Sequence, residues 1–280
     1  MPSSVPVRRR AAFLDFDGTL ADRGIVPRAQ AEAVLAARAA GHAVLLCTGR
    51  PASIVAEDVA ALFDGMITSA GGHVRIGGEL LRDVRFPAEL GRRTVEALEA
   101  HDAAYALEAP EALWCSVSAT AQLERRRAEA PVPEKGERGR GIVDILEAIR
   151  VPEDLASVFF AKISVWSSPL PIEDLAAEIG PEVGALPNSI SQDGRGSGEL
   201  HLAEIDKADG LRLAAEHLGV HLEDTVAVGD GLNDLGMLRA AGTAVAIRGS
   251  RAEVLAAADL EVAPPAERGM EEAFARLGML

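Results

Sequence analysis

The chain has 280 residues, of which 48% are hydrophobic, 4% aromatic and 25% charged, with a formal charge of −15. That length suits a core plus a second, smaller domain, and the scarcity of aromatics favours helices packed on a sheet over an aromatic-rich sandwich. The acidic balance argues against nucleic acid and anionic lipid as partners, and any anion site must gather positive charge locally.

Two cysteines, Cys47 and Cys115, are too few for a disulfide framework and suit a reducing cytoplasm. Arg8, Arg9 and Arg10 precede an apolar run that Asp15 stops at once, far short of a signal-peptide core. No apolar stretch approaches the roughly 20 residues that span a bilayer. The expectation is a soluble cytoplasmic protein with no membrane partner.

In chain order, residues 11–16 read as a short buried strand, 27–40 as a helix, 43–47 as a strand, 51–62 as a helix opened by Pro51, and 66–70 as a strand. Apolar strands alternating with helices predict a parallel sheet covered on both faces. The rhythm then changes. Residues 73–76 and 79–86 flank Gly77-Gly78 as a hairpin, followed by a helix over 87–101. Strands are expected at 105–109, 113–118 and 158–167, and a helix at 171–179, so an α+β insert with an antiparallel sheet is predicted. Residues 125–141, rich in charge, Pro and Gly, read as an exposed, poorly ordered loop. The alternating pattern returns with a helix at 208–218, a strand at 225–228, a helix at 232–241 and a strand at 243–247. Ser250 and Glu253 have capping-box spacing for a helix reaching residue 258. A strand at 260–263 and a helix at 267–277 close the chain.

Three polar clusters directly follow apolar strands: Asp15 and Asp17, then Thr48, then Asp230. In an open parallel sheet, ligands bind at the carboxyl ends of the strands, so the clusters are expected to converge. Asp15 and Asp17 are two apart and share a side of extended chain. Two adjacent carboxylates repel and need a cation, for which Mg²⁺, a hard ion taking oxygen ligands and phosphate, is the natural choice. Asp230 can complete the site, and Asp234 can act as a ligand or support one. Thr48 offers a hydroxyl, Gly49 a close backbone approach, and Lys207 a compact positive charge. Arg50 is as well explained by pairing with an acid. Cys47 reads as a buried thiol. His73 and His201, near the two ends of the insert, read as solvated or core histidines, and Trp114 and Trp166 as packing residues of the insert's sheet.

These residues resemble the motif set of the haloacid dehalogenase-like phosphohydrolases, in their Cof-type branch. Asp15-Phe16-Asp17-Gly18-Thr19 matches the first motif, Thr48-Gly49-Arg50 resembles the second, Lys207 the third, and Gly229 to Asp234 the fourth. The resemblance implies a Rossmann-like, doubly wound α/β core, residues 1–71 and 201–280, with an inserted α+β cap of the IIB type over 72–200. It implies that Asp15 attacks phosphorus and that Asp17 serves as acid and base. Thr48, Gly49, Lys207 and Asn233 would hold phosphate, and Asp15, the backbone carbonyl of Asp17, Asp230 and Asp234 would hold or support Mg²⁺. The family often has Asn-Gly where this chain has Ala70-Gly71, and Gly-Asn-Ala where it has Arg248-Gly249-Ser250. The implied activity is hydrolysis of a small phosphorylated metabolite, with a sugar phosphate favoured by analogy, in a monomer or homodimer. A phosphomutase can use the same Asp pair, and a non-catalytic phosphate-binding regulatory module is the reading outside enzymes. The absence of a GxxxxGK[ST] loop argues against a P-loop enzyme.

Overall fold

Short runs of Ala, Leu and Val, buried at every residue, form the central strands because both faces of the sheet are covered. The computed structural model of the chain describes residues 9–129, 132–187 and 195–280, with Arg126, Glu129 and Pro187 described by backbone alone. The first segment runs β1 (Ala11–Leu14), α1 (Arg28–Ala39), β2 (Ala43–Cys47), α2 (Glu57–Ala60), β3 (Gly65–Thr68), β4 (His73–Ile76) and β5 (Glu79–Asp83). The insert follows with α3 (Ala88–Ala100), β6 (Ala104–Glu108), β7 (Leu113–Cys115), α4 (Val117–Glu124), α5 (Ile142–Ala148), β8 (Ile149–Arg150), β9 (Lys162–Ser167), α6 (Ile172–Ile179), β10 (Val183–Pro187) and β11 (Gly198–Leu202). The chain then returns with α7 (Lys207–His217), β12 (Thr225–Gly229), α8 (Leu235–Ala240), β13 (Thr243–Ile247), α9 (Ala252–Leu255), β14 (Leu260–Val262) and α10 (Gly269–Arg276).

One eight-stranded sheet has the order β14-β13-β12-β1-β2-β3-β4-β5, parallel from β14 to β3. Alternation splits its side chains between two cores. Ala12, Leu14, Val44 and Leu46 pack with Val34, Ala37 and Phe274 of α1 and α10. Phe13, Leu45 and Cys47 pack with Leu211, Ala214 and Met237 of α7 and α8. The sheet is thus doubly wound, as predicted.

The second sheet has the order β10-β11-β9-β6-β7-β8 and is antiparallel apart from the β7–β8 pair. Tyr105, Leu107, Ile163, Val165 and Leu200 pack under Leu90, Val95 and Leu98 of α3 and Leu175 of α6. The alternate residues Glu108, Lys162, Ser164, Glu199 and His201 therefore lie on the opposite face.

Several expectations need correction. The hairpin 73–83 does not begin the insert; it extends the first sheet, because Val74 and Ile76 alternate into the core beside Ile67 while β4 pairs antiparallel with β3. Gly77 and Gly78, at φ 56° and 89°, make its turn. The reversal of strand direction, read as a domain border, lies inside the sheet. The helix expected over 51–62 is interrupted at Val55, which is extended at φ −91° and ψ 111°. Ser250 does not cap α9; Arg251 holds that position and the Ser250 hydroxyl is buried without a partner. The described part of 125–141 is anchored: Val26 N–H donates to Arg138 O at 2.8 Å and Gly139 N–H to Asp58 at 3.2 Å. Val117 and Ser118, expected to end a strand, instead open α4 after the Ser116 cap, and α5, β8, β10 and β11 had no sequence expectation.

Candidate active site

The carboxyl ends of β1, β2 and β12 meet as the topology requires. Asp15 extends β1 by one residue, its N–H bonded to Val228 O at 2.9 Å. The chain then turns sharply. Gly18 has φ +83°, and a Cβ there would run into the Asp230 carboxylate, so only glycine serves. The same turn buries Thr19, whose hydroxyl donates to Asp230 Oδ1 at 2.9 Å. This places the first and fourth motifs in direct contact.

Lys207 opens α7 just after Asp206, whose carboxylate caps the helix by accepting from Ala208 N–H. Its ammonium is fully buried and donates to Asp15 Oδ1 and Asp234 Oδ1, each at 2.6 Å. Asp234 Oδ2 accepts from the N–H groups of Asp230 and Gly231 at 3.0 and 2.9 Å. Asp234 thus spends both oxygens on fixing Lys207 and the 230–231 backbone. Asp15 gives one oxygen to Lys207 and Asp230 gives one to Thr19, so each keeps the other unspent.

Oxygens of Asp15, Asp230 and Asp234 lie within 4.8 Å of one another. Opposite ligands of a hard cation bound at about 2.1 Å stand about 4.2 Å apart, so the cluster fits a small divalent ion with slight contraction. The charge balance agrees, since three carboxylates surround one ammonium. Burial, then Asp234, push the Asp15 carboxyl well above its ordinary range, against the pull of Lys207. Burial and Asp234 push Asp230 up to about 6. Burial alone would lower Lys207, but Asp15 and Asp234 outweigh it and hold the ammonium charged. The Asp17 carboxylate stands outside this cluster. Arg50 grips it in a fork, Nε to Oδ2 at 2.6 Å and a terminal nitrogen to Oδ1 at 2.7 Å, while stacking 4.6 Å from the centre of the Phe16 ring.

Thr48 is buried, and its hydroxyl oxygen accepts from Arg50 N–H at 3.1 Å, leaving its proton for an outside acceptor. The next residue faces the insert. A Cβ on Gly49 would stand 3.6 Å from Lys162 Nζ, 3.7 Å from Asn233 Nδ2 and 3.9 Å from Glu199 Oε2. Asp15, Lys207, Asp230 and Asp234 thus gather at the strand ends, Gly49 after β2 lies beside Asn233, and the Asp17 carboxylate is turned to Arg50. Cys47 is a buried thiol pushed up to about 12 by burial, and it is inert there. His73 belongs to the core sheet, its Nδ1 3.1 Å from the Thr68 hydroxyl. Lys162, Glu108 and Glu199 were missed; the one signal was a lysine within the strand expected over 158–167.

The model of the haloacid dehalogenase-like hydrolases matches residues 12–274. The chain belongs to this family. A putative phosphatase of Bacillus subtilis, YkrA, is 40% identical over 26% of this chain and 29% of its own length. A phosphatase of the same superfamily from Bacteroides thetaiotaomicron matches in structure with a TM-score of 0.74 and 25% identity, covering 100% of both chains. A subclass IIB sugar phosphatase shares the fold at a TM-score of 0.75 and 22% identity, over 97% of this chain and 100% of its own. The phosphatases among the curated relatives, YkrA included, are matched over 25–37% of their own length. Among the described residues no helix is long and apolar enough to cross a membrane.

Proposed function

We propose that the chain is a Mg²⁺-dependent phosphatase that hydrolyses a small phosphate monoester, a sugar phosphate or related metabolite, through an aspartyl-phosphate on Asp15. The observation that carries this reading is the Lys207 ammonium held between Asp15 and Asp234 at 2.6 Å each, beside an Asp230 carboxylate with an oxygen to spare. Asp15, Asp230 and the backbone carbonyl of Asp17 would hold Mg²⁺, with Asp234 fixing their surroundings. The ion supplies charge neutralisation at the phosphoryl oxygens.

Asp15 attacks phosphorus with its free oxygen, and the bond from phosphorus to the ester oxygen breaks. Thr48, Gly49 N–H and Lys207 take the phosphoryl oxygens. Asp17 gives the departing oxygen a proton and then removes one from the water that cleaves the acyl phosphate. Its ion pair with Arg50 must loosen for that proton to be carried. The insert after β5, from α3 to β11, acts as a cap over this site. Free, buried Cys47 and Cys115 support a cytoplasmic setting.

Phosphate release from a panel of phosphorylated metabolites, with Mg²⁺ and with EDTA, tests the reading. Mg²⁺-dependent release, with acid-stable label trapped on wild type and absent from Asp15→Asn, is expected. Formation of an isomeric sugar phosphate in place of phosphate would favour a mutase. Equal ligand binding by both proteins with no turnover would leave only a binding module.

A further inference from the structure

The face of the six-stranded sheet that α3 and α6 leave uncovered carries a second buried ammonium. Lys162 is 2% exposed, with Nζ 2.8 Å from Glu199 Oε1 and 3.2 Å from Glu108 Oε2. Strand register explains the meeting. Glu108 of β6 stands opposite Lys162 of β9, and Glu199 of β11 stands opposite Ser164 one pleat on. The Ser164 hydroxyl donates to Glu108. Burial alone would lower the Lys162 pKa, and Glu108 and Glu199 outweigh it, so the ammonium stays charged.

Burying three ionisable groups stabilises a sheet little, since apolar residues of the same volume do as well. Their position supplies a better reason. Lys162 Nζ and Glu199 Oε2 are two charged groups of the insert that meet the Gly49 position, at 3.6 and 3.9 Å from where a Cβ would be. They face the phosphate cradle across a residue that leaves the gap open.

We infer that Lys162 and Glu199, braced by Glu108 and Ser164, are specificity-determining residues that receive an uncharged, polyhydroxylated leaving group. This rests on the phosphatase reading and deepens it. A hydroxyl both donates and accepts, and it matches a donor-only ammonium beside an acceptor-only carboxylate. The charge of Lys162 is already taken by two carboxylates, and the core beneath is acidic. A leaving group carrying a carboxylate or a second phosphate would find no unspent positive charge here. Glu199 is the partner placed to reach substrate, with its side chain 34% exposed against 6% for Glu108.

The test measures kcat/KM with Mg²⁺ for glucose 6-phosphate, ribose 5-phosphate, 2-phosphoglycolate and p-nitrophenyl phosphate. For wild type, the better sugar phosphate is expected to exceed 2-phosphoglycolate by about tenfold or more. In Glu199→Gln, the ratio of that sugar to p-nitrophenyl phosphate is expected to fall by about tenfold, the scale of one hydrogen bond to a charged group. Glu199→Asp, which keeps the charge, is expected to recover part of it, and decides by the same ratio if Glu199→Gln does not fold. A ratio unchanged within about threefold, or a preference for 2-phosphoglycolate, overturns the assignment while leaving the phosphatase intact. No Mg²⁺-dependent phosphate release from any of the four substrates overturns the phosphatase reading, and this assignment with it.

Discussion

Lys207 and Lys162 look alike and do different work. Each is a buried ammonium between two carboxylates. Around Lys207 both partners are buried, at 8% and 0% exposure, and Asp234 is further pinned by two backbone N–H groups. Around Lys162 one partner is pinned by Ser164 and the other reaches toward solvent. The first arrangement is closed, and suits a reacting group that never changes. The second keeps a movable carboxylate, and suits a ligand whose shape differs from one substrate to another. The contrast separates the chemistry at phosphorus from the choice of what leaves it.

The sharpest way to test that separation is Asp15→Asn. It should lower kcat/KM by on the order of 10⁴-fold or more on every substrate, because the nucleophile is lost. A loss confined to sugar phosphates would merge the two regions into one.

Next in size is the pair Lys207→Met and Lys162→Met, compared by urea unfolding. Removing Lys207 strands two buried carboxylates and should cost about 3–5 kcal/mol. Removing Lys162 should cost about 1–3 kcal/mol, because Glu199 can turn to water. Equal costs would deny the difference in closure.

Under the proposed function, metal binding is expected to change the core side alone. The Asp230 carboxyl titrates at about 6 in the folded chain against an ordinary 3.8, and Asp15 is raised in the same direction. Such groups bind protons more tightly folded than unfolded, so in EDTA stability should fall as pH rises from 3.8 to about 6. Excess Mg²⁺ should offset that loss, by about 2.7 kcal/mol at a hundredfold over its Kd. Thermal melts across this pH range check both signs, and a rise in stability with pH in EDTA would contradict them.

The smallest effect is that of Ser164→Ala. It removes one donor from Glu108 and should cost about 1 kcal/mol in chemical denaturation.

The core side was legible because its strands are buried on both faces, so β1, β2 and β12 read as unbroken apolar runs whose ends carry Asp15, Thr48 and Asp230. Spacing placed Asp17 and Asp234 beside them, and the family resemblance added Asn233. The insert side was hidden, because Glu108, Lys162 and Glu199 sit on three strands far apart in sequence and meet only through register. Ser250 shows the opposite failure. Its spacing to Glu253 is right for a capping box, but its N–H bonds to Ile247 O in a turn and helix α9 begins later. Ala70 shows a third. It occupies the left-handed region at φ 55°, with its N–H on Thr48 O at 3.1 Å, so the loop beside the phosphate cradle keeps a conformation that asparagine tolerates better than alanine.

The β4–β5 hairpin bears on how the molecules behave toward one another in solution. A sheet ends in a row of unpaired backbone groups that a neighbouring chain can join. On this side the last strand is β5, Glu79–Asp83, held to five residues and carrying Glu79, Arg82 and Asp83. A strand so brief and so charged makes a poor template for edge-to-edge growth. The β4–β5 hairpin thus guards the sheet's rim against aggregation.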